Sequence, residues 1–281
     1  MYSSHRVVYY VFLMALAGSV ALTGCSSTQP IAHDSAQEAY EKANQYFEEG
    51  DYDRAIEYYR GVFQYGRATE WAAYAQYELG RAHEERGDYL IAATEYNRFT
   101  QLYSNHELLP DAEYRRGLMY YNESPHYKLD QTDTERAIAN FELFLNRHPN
   151  HTHAEDAQEK VRELRGKLAR KKYDAGALYE RRRMYRAATY TYEQVFDQYP
   201  ETDYADRALV AAMRSYIDYS DRSVPGRQEE RLQSALDIYE RLTQVFPDSP
   251  VLRDAERQYE RAQSRLERFQ SDEDALADDA S

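Results

Sequence analysis

The sequence predicts an all-α protein, a solenoid of about five helix–turn–helix units with a C-terminal capping helix. Three observations carry that expectation. Turn formers are scarce, 11 Gly and 8 Pro in 281 residues, while 42% of residues are hydrophobic and 30% charged. A β-sandwich needs many more turn residues. Apolar residues recur at helical spacing from residue 34 almost to the end, as in Ala39, Ala43, Tyr46 and Phe47. The chain also repeats itself: Gly50-Asp51-Tyr52 with Ala55 and Tyr59 returns 37 residues later as Gly87-Asp88-Tyr89 with Ala92 and Tyr96.

Residues 1–33 stand apart from the repeats. Residues 1–24 have the form of an export signal, with Arg6 ahead of Val7–Ala21, a run of 15 apolar and small residues. That run falls short of the roughly 20 needed to span a bilayer as a helix. An ordinary signal peptide or an uncleaved anchor would share the run, but the only cysteine follows at once, in Leu22-Thr23-Gly24-Cys25. This segment resembles the lipobox of bacterial lipoproteins. The resemblance implies cleavage before Cys25 and acylation of its sulfur and new amino group. More than one acyl chain gives stable anchoring, at about 0.8 kcal/mol per buried CH₂. Ser26 stands where an Asp would retain many such proteins at the inner membrane, so outer-membrane sorting is implied. Residues 25–33 then read as the lipidated cysteine and a short polar tether. A single cysteine also leaves no internal disulfide and no multi-cysteine metal site.

From residue 34 the repeats set the register. A third copy keeps Ala137, Phe141, Phe144 and Pro149, and the same offsets return as Ala188, Tyr192, Val195, Pro200 and as Ala235, Tyr239, Leu242, Pro247. The pattern resembles the tetratricopeptide repeat, in which helix–turn–helix units stack into a solenoid. Gly80, Gly117 and Gly176 let the two helices of a unit approach closely. The Ala of each second helix adds no bulk at the crossing, and the aromatic four residues on fills the space beside it. Each Pro ends a second helix, and the Asp after Gly50 and Gly87 is suited to cap one. Departures from the pattern predict local differences. Ala43 and Met213 replace the close-contact glycine, predicting looser packing, and Arg183 stands where units 1 and 2 have Gly at the turn. Insertions at 122–133 and 221–228 predict loops. Val251–Phe269 reads as the capping helix, and residues 271–281, with five acidic and no basic side chains, as a disordered tail.

Charge and motif content narrow the function. Lys plus Arg total 35 against 49 Asp plus Glu, a formal charge of −14, opposite to what binding a duplex nucleic acid requires. No HExxH, P-loop, GxSxG or paired-Cys motif occurs. His148, His151 and His153 have a spacing that could clasp a metal, but they fall at the turn after a second helix, where polar residues are expected anyway. The sequence therefore reads as a binding protein with no catalytic residue, metal or cofactor.

Two surfaces are candidates for partners. The register puts Tyr40, Asn44 and Phe47 of unit 1, Tyr74, Tyr77 and Arg81 of unit 2, and Tyr114, Leu118 and Tyr121 of unit 3 on the first-helix face. Tyrosine rings can stack and hydrogen-bond at low entropic cost, so this face suits an extended peptide, though packing between helices would also use such rings. Tyrosine is abundant, 29 in all. The second surface is basic: residues 160–186 hold 11 basic and 3 acidic side chains, whereas residues 34–110 hold 7 and 15. Its centre is Arg170, Lys171, Lys172, Arg181, Arg182, Arg183 and Arg186. A solvated helix face is one use of such a run; docking of an acidic partner or of anionic lipid headgroups is another.

Taken together, a lipobox and five such repeats resemble the BamD (YfiO-like) family of outer-membrane assembly lipoproteins. The more specific parts are Tyr114-Arg-Arg-Gly117-Leu, Leu129-Asp-Gln-Thr132, Ala137-Ile-Ala-Asn-Phe141, Lys167-Leu-Ala169, Tyr179-Glu-Arg181, Tyr185-Arg-Ala-Ala188 and Tyr199-Pro200-Glu-Thr202. The resemblance implies a place on the periplasmic face of the outer membrane, in the BAM complex that folds and inserts β-barrel proteins. It implies BamA, a barrel protein with periplasmic domains, as the partner of repeats 3–5 and the capping helix (111–270). Unfolded barrel precursors would be received by repeats 1–2 (34–110), and other lipoproteins of the complex are further implied partners. The alternative is a repeat lipoprotein that scaffolds pilus secretion or peptidoglycan synthesis, told apart by what co-purifies.

Overall fold

The structure is a computed structural model that describes residues 33–279, with side chains as far as Ser271. The export signal, Cys25 and nearly all of the tether lie outside these residues. Among the described residues there are eleven α-helices and one short 3₁₀ turn, with no strand. They form five antiparallel pairs: α1 (Ala36–Glu48) with α2 (Tyr52–Val62), α3 (Glu70–Glu85) with α4 (Tyr89–Leu102), α5 (Leu109–Glu123) with α6 (Thr132–Arg147), α7 (Ala154–Arg181) with α8 (Tyr185–Gln198), and α9 (Ala205–Ser220) with α10 (Pro225–Val245). Helix α11 (Leu252–Asp279) closes the stack. Each helix packs on the next in sequence, so the core is a row of linked clusters rather than a single ball. This is the tetratricopeptide-repeat solenoid the sequence predicts.

The close-contact glycines act as the spacing predicts. A Cβ at Gly80 would lie 2.7 Å from the ring of Tyr96, one at Gly117 2.8 Å from Phe141, and one at Gly176 2.8 Å from Tyr192. Each ring is fully buried. The second helices α6, α8 and α10 end two residues before Pro149, Pro200 and Pro247, because the residue before proline is pushed out of helical geometry. Looser packing in unit 1 does not occur: Ala43 and Tyr59 are both inaccessible to solvent, the methyl of Ala43 being small enough for the ring. In unit 5, Tyr239 is only half-buried and its ring stands 4.6 Å from Tyr259 of α11.

Two expected loops and the tail differ from the sequence reading. The insertion of unit 3 is a loop, between Glu123 and Thr132, and that of unit 5 is a loop only as far as residue 224, its second half being the start of α10. Pro225 occupies the first turn of α10, where its fixed φ suits the helix and its missing N–H costs nothing. Helix α11 extends to Asp279, so the acidic segment expected to be disordered carries helical backbone. Its Ala, Leu and Glu residues favour helix, and propagation from an existing helix is cheap.

Units 1, 2 and 4 share one turn geometry. The N–H of Asp51, Asp88 and Met184 donates to the carbonyl of Tyr46, His83 and Tyr179, five residues back, at 2.8–2.9 Å. The residue before each has positive φ: Gly50 at 77°, Gly87 at 83° and Arg183 at 59°. This is the helix stop that glycine normally serves. Asp51 caps α2 as expected, accepting from the N–H of Arg54, whereas Asp88 turns its carboxylate to Arg86 and His83 instead of capping α4. Arg183 is the only non-glycine with positive φ among the described residues. Left-handed backbone costs an L-residue about 1–2 kcal/mol. Arg183→Gly is therefore expected to stabilise the fold by about 1 kcal/mol, less glycine's entropy in the unfolded chain, read as a higher urea midpoint at unchanged slope.

Candidate functional site

On the first-helix face, Tyr40, Tyr77 and Tyr114 recur every 37 residues, three positions before Ala43, Gly80 and Gly117. Tyr173 stands in the same place before Gly176. Each ring meets the large ring of its own second helix: Tyr40 with Tyr59 at 6.0 Å, Tyr77 with Tyr96 at 5.8 Å, Tyr114 with Phe141 at 5.9 Å, and Tyr173 with Tyr192 at 5.4 Å. Tyr77 and Tyr114 are buried. Their hydroxyls donate across the repeat boundary, Tyr77 to Asp111 at the start of α5 and Tyr114 to Asp156 at the start of α7, the latter at 2.5 Å. These two candidate groove residues thus pack the core and tie one unit to the next.

The remaining seven are half-buried and each has a partner. Asn44 accepts from the Tyr59 hydroxyl at 2.7 Å, and Tyr40 also stacks near Trp71. Arg81 lies over the ring of Phe47 at 5.0 Å and pairs with Glu78 at 2.9 Å. Tyr74 donates to Glu107 at 3.1 Å and meets His106 edge-on. Tyr121 donates to Glu163 at 2.5 Å under Lys160, and that bond to a carboxylate pushes its phenol up to about 12. Leu118 bridges the clusters of units 2 and 3.

The register also hides a repeated charge relay. Glu84 and Glu180 each stand four residues after a close-contact glycine. Glu84 accepts from the Tyr96 hydroxyl at 2.6 Å and from Arg115 of the next unit at 2.9 and 3.0 Å. Glu180 accepts from Tyr192 at 2.8 Å and from Arg214 at 2.5 and 3.0 Å. Burial pushes the Glu180 carboxyl up, but Arg214 and Tyr192 outweigh it and hold it below the usual range. The same offset carries Phe47, Tyr121 and Ile217 in the other units, so comparing units does not single out the two glutamates.

The histidines of the 148–153 turn go separate ways. His148 pairs with buried Glu113 at 2.9 Å. His153 pairs with Asp111 at 3.2 Å and stacks on Tyr114 at 4.2 Å, and His151 meets Phe144 edge-on.

The basic candidates split into two groups. Arg170 lies 4.1 Å over the ring of Tyr127, and Lys171 donates to the Leu129 carbonyl at 2.5 Å, so both clip the 124–131 loop to α7. Lys172 donates to Gln198 of α8 at 2.5 Å. Arg181, Arg182, Arg183 and Arg186, at the α7–α8 turn, are exposed and form no ion pair among the described residues. Arg183 and Arg186 border a cleft of about 700 Å³ with Met184, Tyr185, Tyr190 and Tyr219. Met184 is 49% exposed and Tyr190 67%. Sequence reasoning missed these apolar residues, since each reads as an ordinary helix position.

Residues 32–225, more than two thirds of the chain, match the family model YfiO, outer membrane lipoprotein. The chain belongs to the YfiO family of outer membrane lipoproteins. Its similarity to individual members is distant but long. It is 26% identical over 267 residues to the outer membrane protein assembly factor BamD of Xylella fastidiosa (strain 9a5c), covering 86% of this chain and 87% of that one. To the protein of the same name from Vibrio cholerae it is 26% identical over 218 residues, covering 74% and 90%. Solved structures with some likeness include the TPR2AB domain of yeast Sti1, with a TM-score of 0.38, 14% identity and coverage of 81% of this chain and 98% of that one. In this YfiO-family chain, no helix among the described residues is long and apolar enough to cross a membrane.

Proposed function

We infer that this protein is a lipid-anchored component of the outer-membrane β-barrel assembly complex, held at the periplasmic face through Cys25. Membership of the YfiO family over residues 32–225 is the observation that carries the reading, alongside relatives named as assembly factors. The free arginines Arg181, Arg182, Arg183 and Arg186 dock an acidic surface of a BamA-like barrel protein, which their field steers into place. Arg170, Lys171 and Lys172 support that face by fixing the loop and helix beside it. The first-helix face of units 1–3 receives extended segments of unfolded barrel precursors. Tyr40, Asn44, Phe47, Tyr74, Arg81, Leu118 and Tyr121 contact the segment, while Tyr77 and Tyr114 hold the face rigid from beneath. Rigid rings bind with little loss of rotamer freedom. The mechanism is non-enzymatic: bind a segment, hold it near the barrel, pass it on.

The test is gentle detergent extraction of native membranes, affinity capture of the protein and mass spectrometry of what accompanies it. A stoichiometric barrel protein with repeated periplasmic domains is expected, and its recovery should fall several-fold with R181E, R182E and R186E combined. Recovery of a secretin or a cell-wall synthase in its place would overturn the reading.

A further inference from the structure

A second cleft, away from the α7–α8 turn, is built over Gly166 of α7. It has a volume of about 450 Å³ and lies between the 124–131 loop and the α8–α9 turn, with Ser124, Tyr127, Lys167, Arg170 and Tyr204 in its walls. Nothing lies within 4 Å of where a Cβ at Gly166 would stand, so the floor is open because this residue has no side chain. Glycine inside a helix costs stability relative to alanine, and here no packing contact accounts for it. The donors around the floor are under-used. Lys167 gives one hydrogen bond, to the Ser124 hydroxyl at 2.8 Å, of the three its ammonium can make. Burial pulls Lys167 below the usual lysine range, and Glu163 only partly offsets that. Arg170 has the Tyr127 ring beneath it at 4.1 Å and no hydrogen bond or ion pair among the described residues. The Tyr127 ring is buried, yet its hydroxyl and that of Tyr204 also have no hydrogen-bond partner among those residues. Two cations and two phenols along one open floor, in a chain of formal charge −14, lack the anion they suit.

Past Gly166 the cleft meets another, of about 460 Å³ and of opposite character. Glu163, Gly166 and Tyr204 border both. The charged groups of the second are four carboxylates, Glu159, Glu163, Glu201 and Asp203, against Arg162 alone. Glu201 is taken by Arg165 and Glu163 accepts from Tyr121. Glu159 and Asp203 are exposed and have no ion pair among the described residues. A doubly charged phosphate held by Lys167 and Arg170 would lie beside these carboxylates and be repelled by them. A ligand with a single negative charge at one end and a positive charge at the other meets the opposite sign at both, which is how paired charges select a partner.

We propose that the two clefts form one groove across Gly166 that binds an extended peptide segment bearing an acidic and a basic side chain, the acid at Lys167 and Arg170 and the base at Glu159 and Asp203. The peptide backbone crosses at Gly166, where the missing side chain admits it. The hydroxyls of Tyr127 and Tyr204 are free to bond its carbonyls, and side-chain charge at each end supplies the selectivity. Glu163 links the groove to Tyr121, so it continues the face assigned above to precursor segments and adds a charge requirement there. It rests on that assignment only for the source of the peptide.

The experiment measures fluorescence anisotropy with the chain from residue 25 onward, carrying Cys25→Ser. The probes are dye-labelled Gly/Ser peptides with both termini blocked, holding one Glu and one Lys set two, three or four positions apart. Matched probes have Gln at either or both charged positions. One spacing is expected to bind best, and Gln at either position should weaken it about tenfold, the usual worth of a charge-assisted hydrogen bond. Gly166→Leu should weaken that peptide at least as much while its urea midpoint stays at or above wild type, because the side chain enters open space. Lys167→Gln should erase the preference for Glu and keep that for Lys, and Glu159→Gln with Asp203→Asn should do the reverse. Equal binding of charged and Gln peptides, or wild-type binding by both Gly166→Leu and Lys167→Gln, would overturn the proposal. So would displacement of the peptide by inorganic phosphate but not by chloride at equal ionic strength, which would mark a simple anion site. The peptides read the groove alone, so its failure leaves the assembly role standing, and that role fails only in the capture from membranes.

Discussion

Arg115→Ala is expected to destabilise the solenoid by on the order of 3 kcal/mol, the cost of leaving half-buried carboxylates without their cation. Arg115 projects from α5 into the boundary between units 2 and 3. There its guanidinium donates to both oxygens of Glu84, to the Tyr77 hydroxyl at 2.9 Å and to Asp111 at 3.3 Å. The two paired side chains are mostly shielded from water, at 26% and 14% exposure. Removing the cation strands Glu84, which still holds the Tyr96 hydroxyl, and Asp111, which still holds Tyr77. Urea unfolding of Arg115→Ala, Glu84→Gln and the double variant measures the coupling, and the double variant should lose less than the two singles summed. Additive losses would mean that the pair is not coupled.

The same variant has a pH signature. Burial pushes the Asp111 carboxyl up, but the Tyr77 hydroxyl and the Arg115 guanidinium outweigh it and hold it below its ordinary range. A carboxyl depressed in the folded state contributes stability that is fully present above its unfolded value, about 3.9, and is lost as the pH falls through the folded value. The stability gap between wild type and Arg115→Ala should therefore narrow below about pH 4. A gap that stays constant down to pH 2.5 would show that Asp111 takes no part.

Two glycines of α7 should respond to alanine in opposite directions. At Gly176 a Cβ would meet three atoms of the Tyr192 ring, at 2.8, 2.8 and 3.2 Å. That ring cannot swing aside, being fully buried with its hydroxyl held by Glu180. At Gly166, ten residues earlier in the same helix, nothing lies within 4 Å. Gly166→Ala should gain nearly 1 kcal/mol from helix propensity. Gly176→Ala collects the same propensity but incurs overpacking of about 1–3 kcal/mol, for a net loss that grows with Gly176→Val. Thermal or urea denaturation of the two alanine variants decides it, and a gain at both would show that the α7–α8 crossing is loose.

The sequence alone determined the solenoid: its all-helical class, the five pairs, the glycine–aromatic crossings and the proline stops. Those features rest on offsets within one unit, where the path between residues is short and helical geometry sets it. The helical backbone of residues 271–279 and the helix start at Pro225 were two of the local exceptions, because each depends on an adjoining helix to propagate or to begin. Family membership was legible too, in runs such as Tyr114 to Leu118. Only the tertiary structure decided which polar groups meet between units. A charge run reads alike whether its members clip a loop, as Arg170 and Lys171 do, or face solvent, as Arg181 and Arg182 do. A tyrosine at the register position of a groove reads alike whether its ring is free or, like Tyr77, is buried with its hydroxyl bound to the next unit. Local periodicity specifies which way a side chain leaves its helix, and the stacking of units specifies what it finds there.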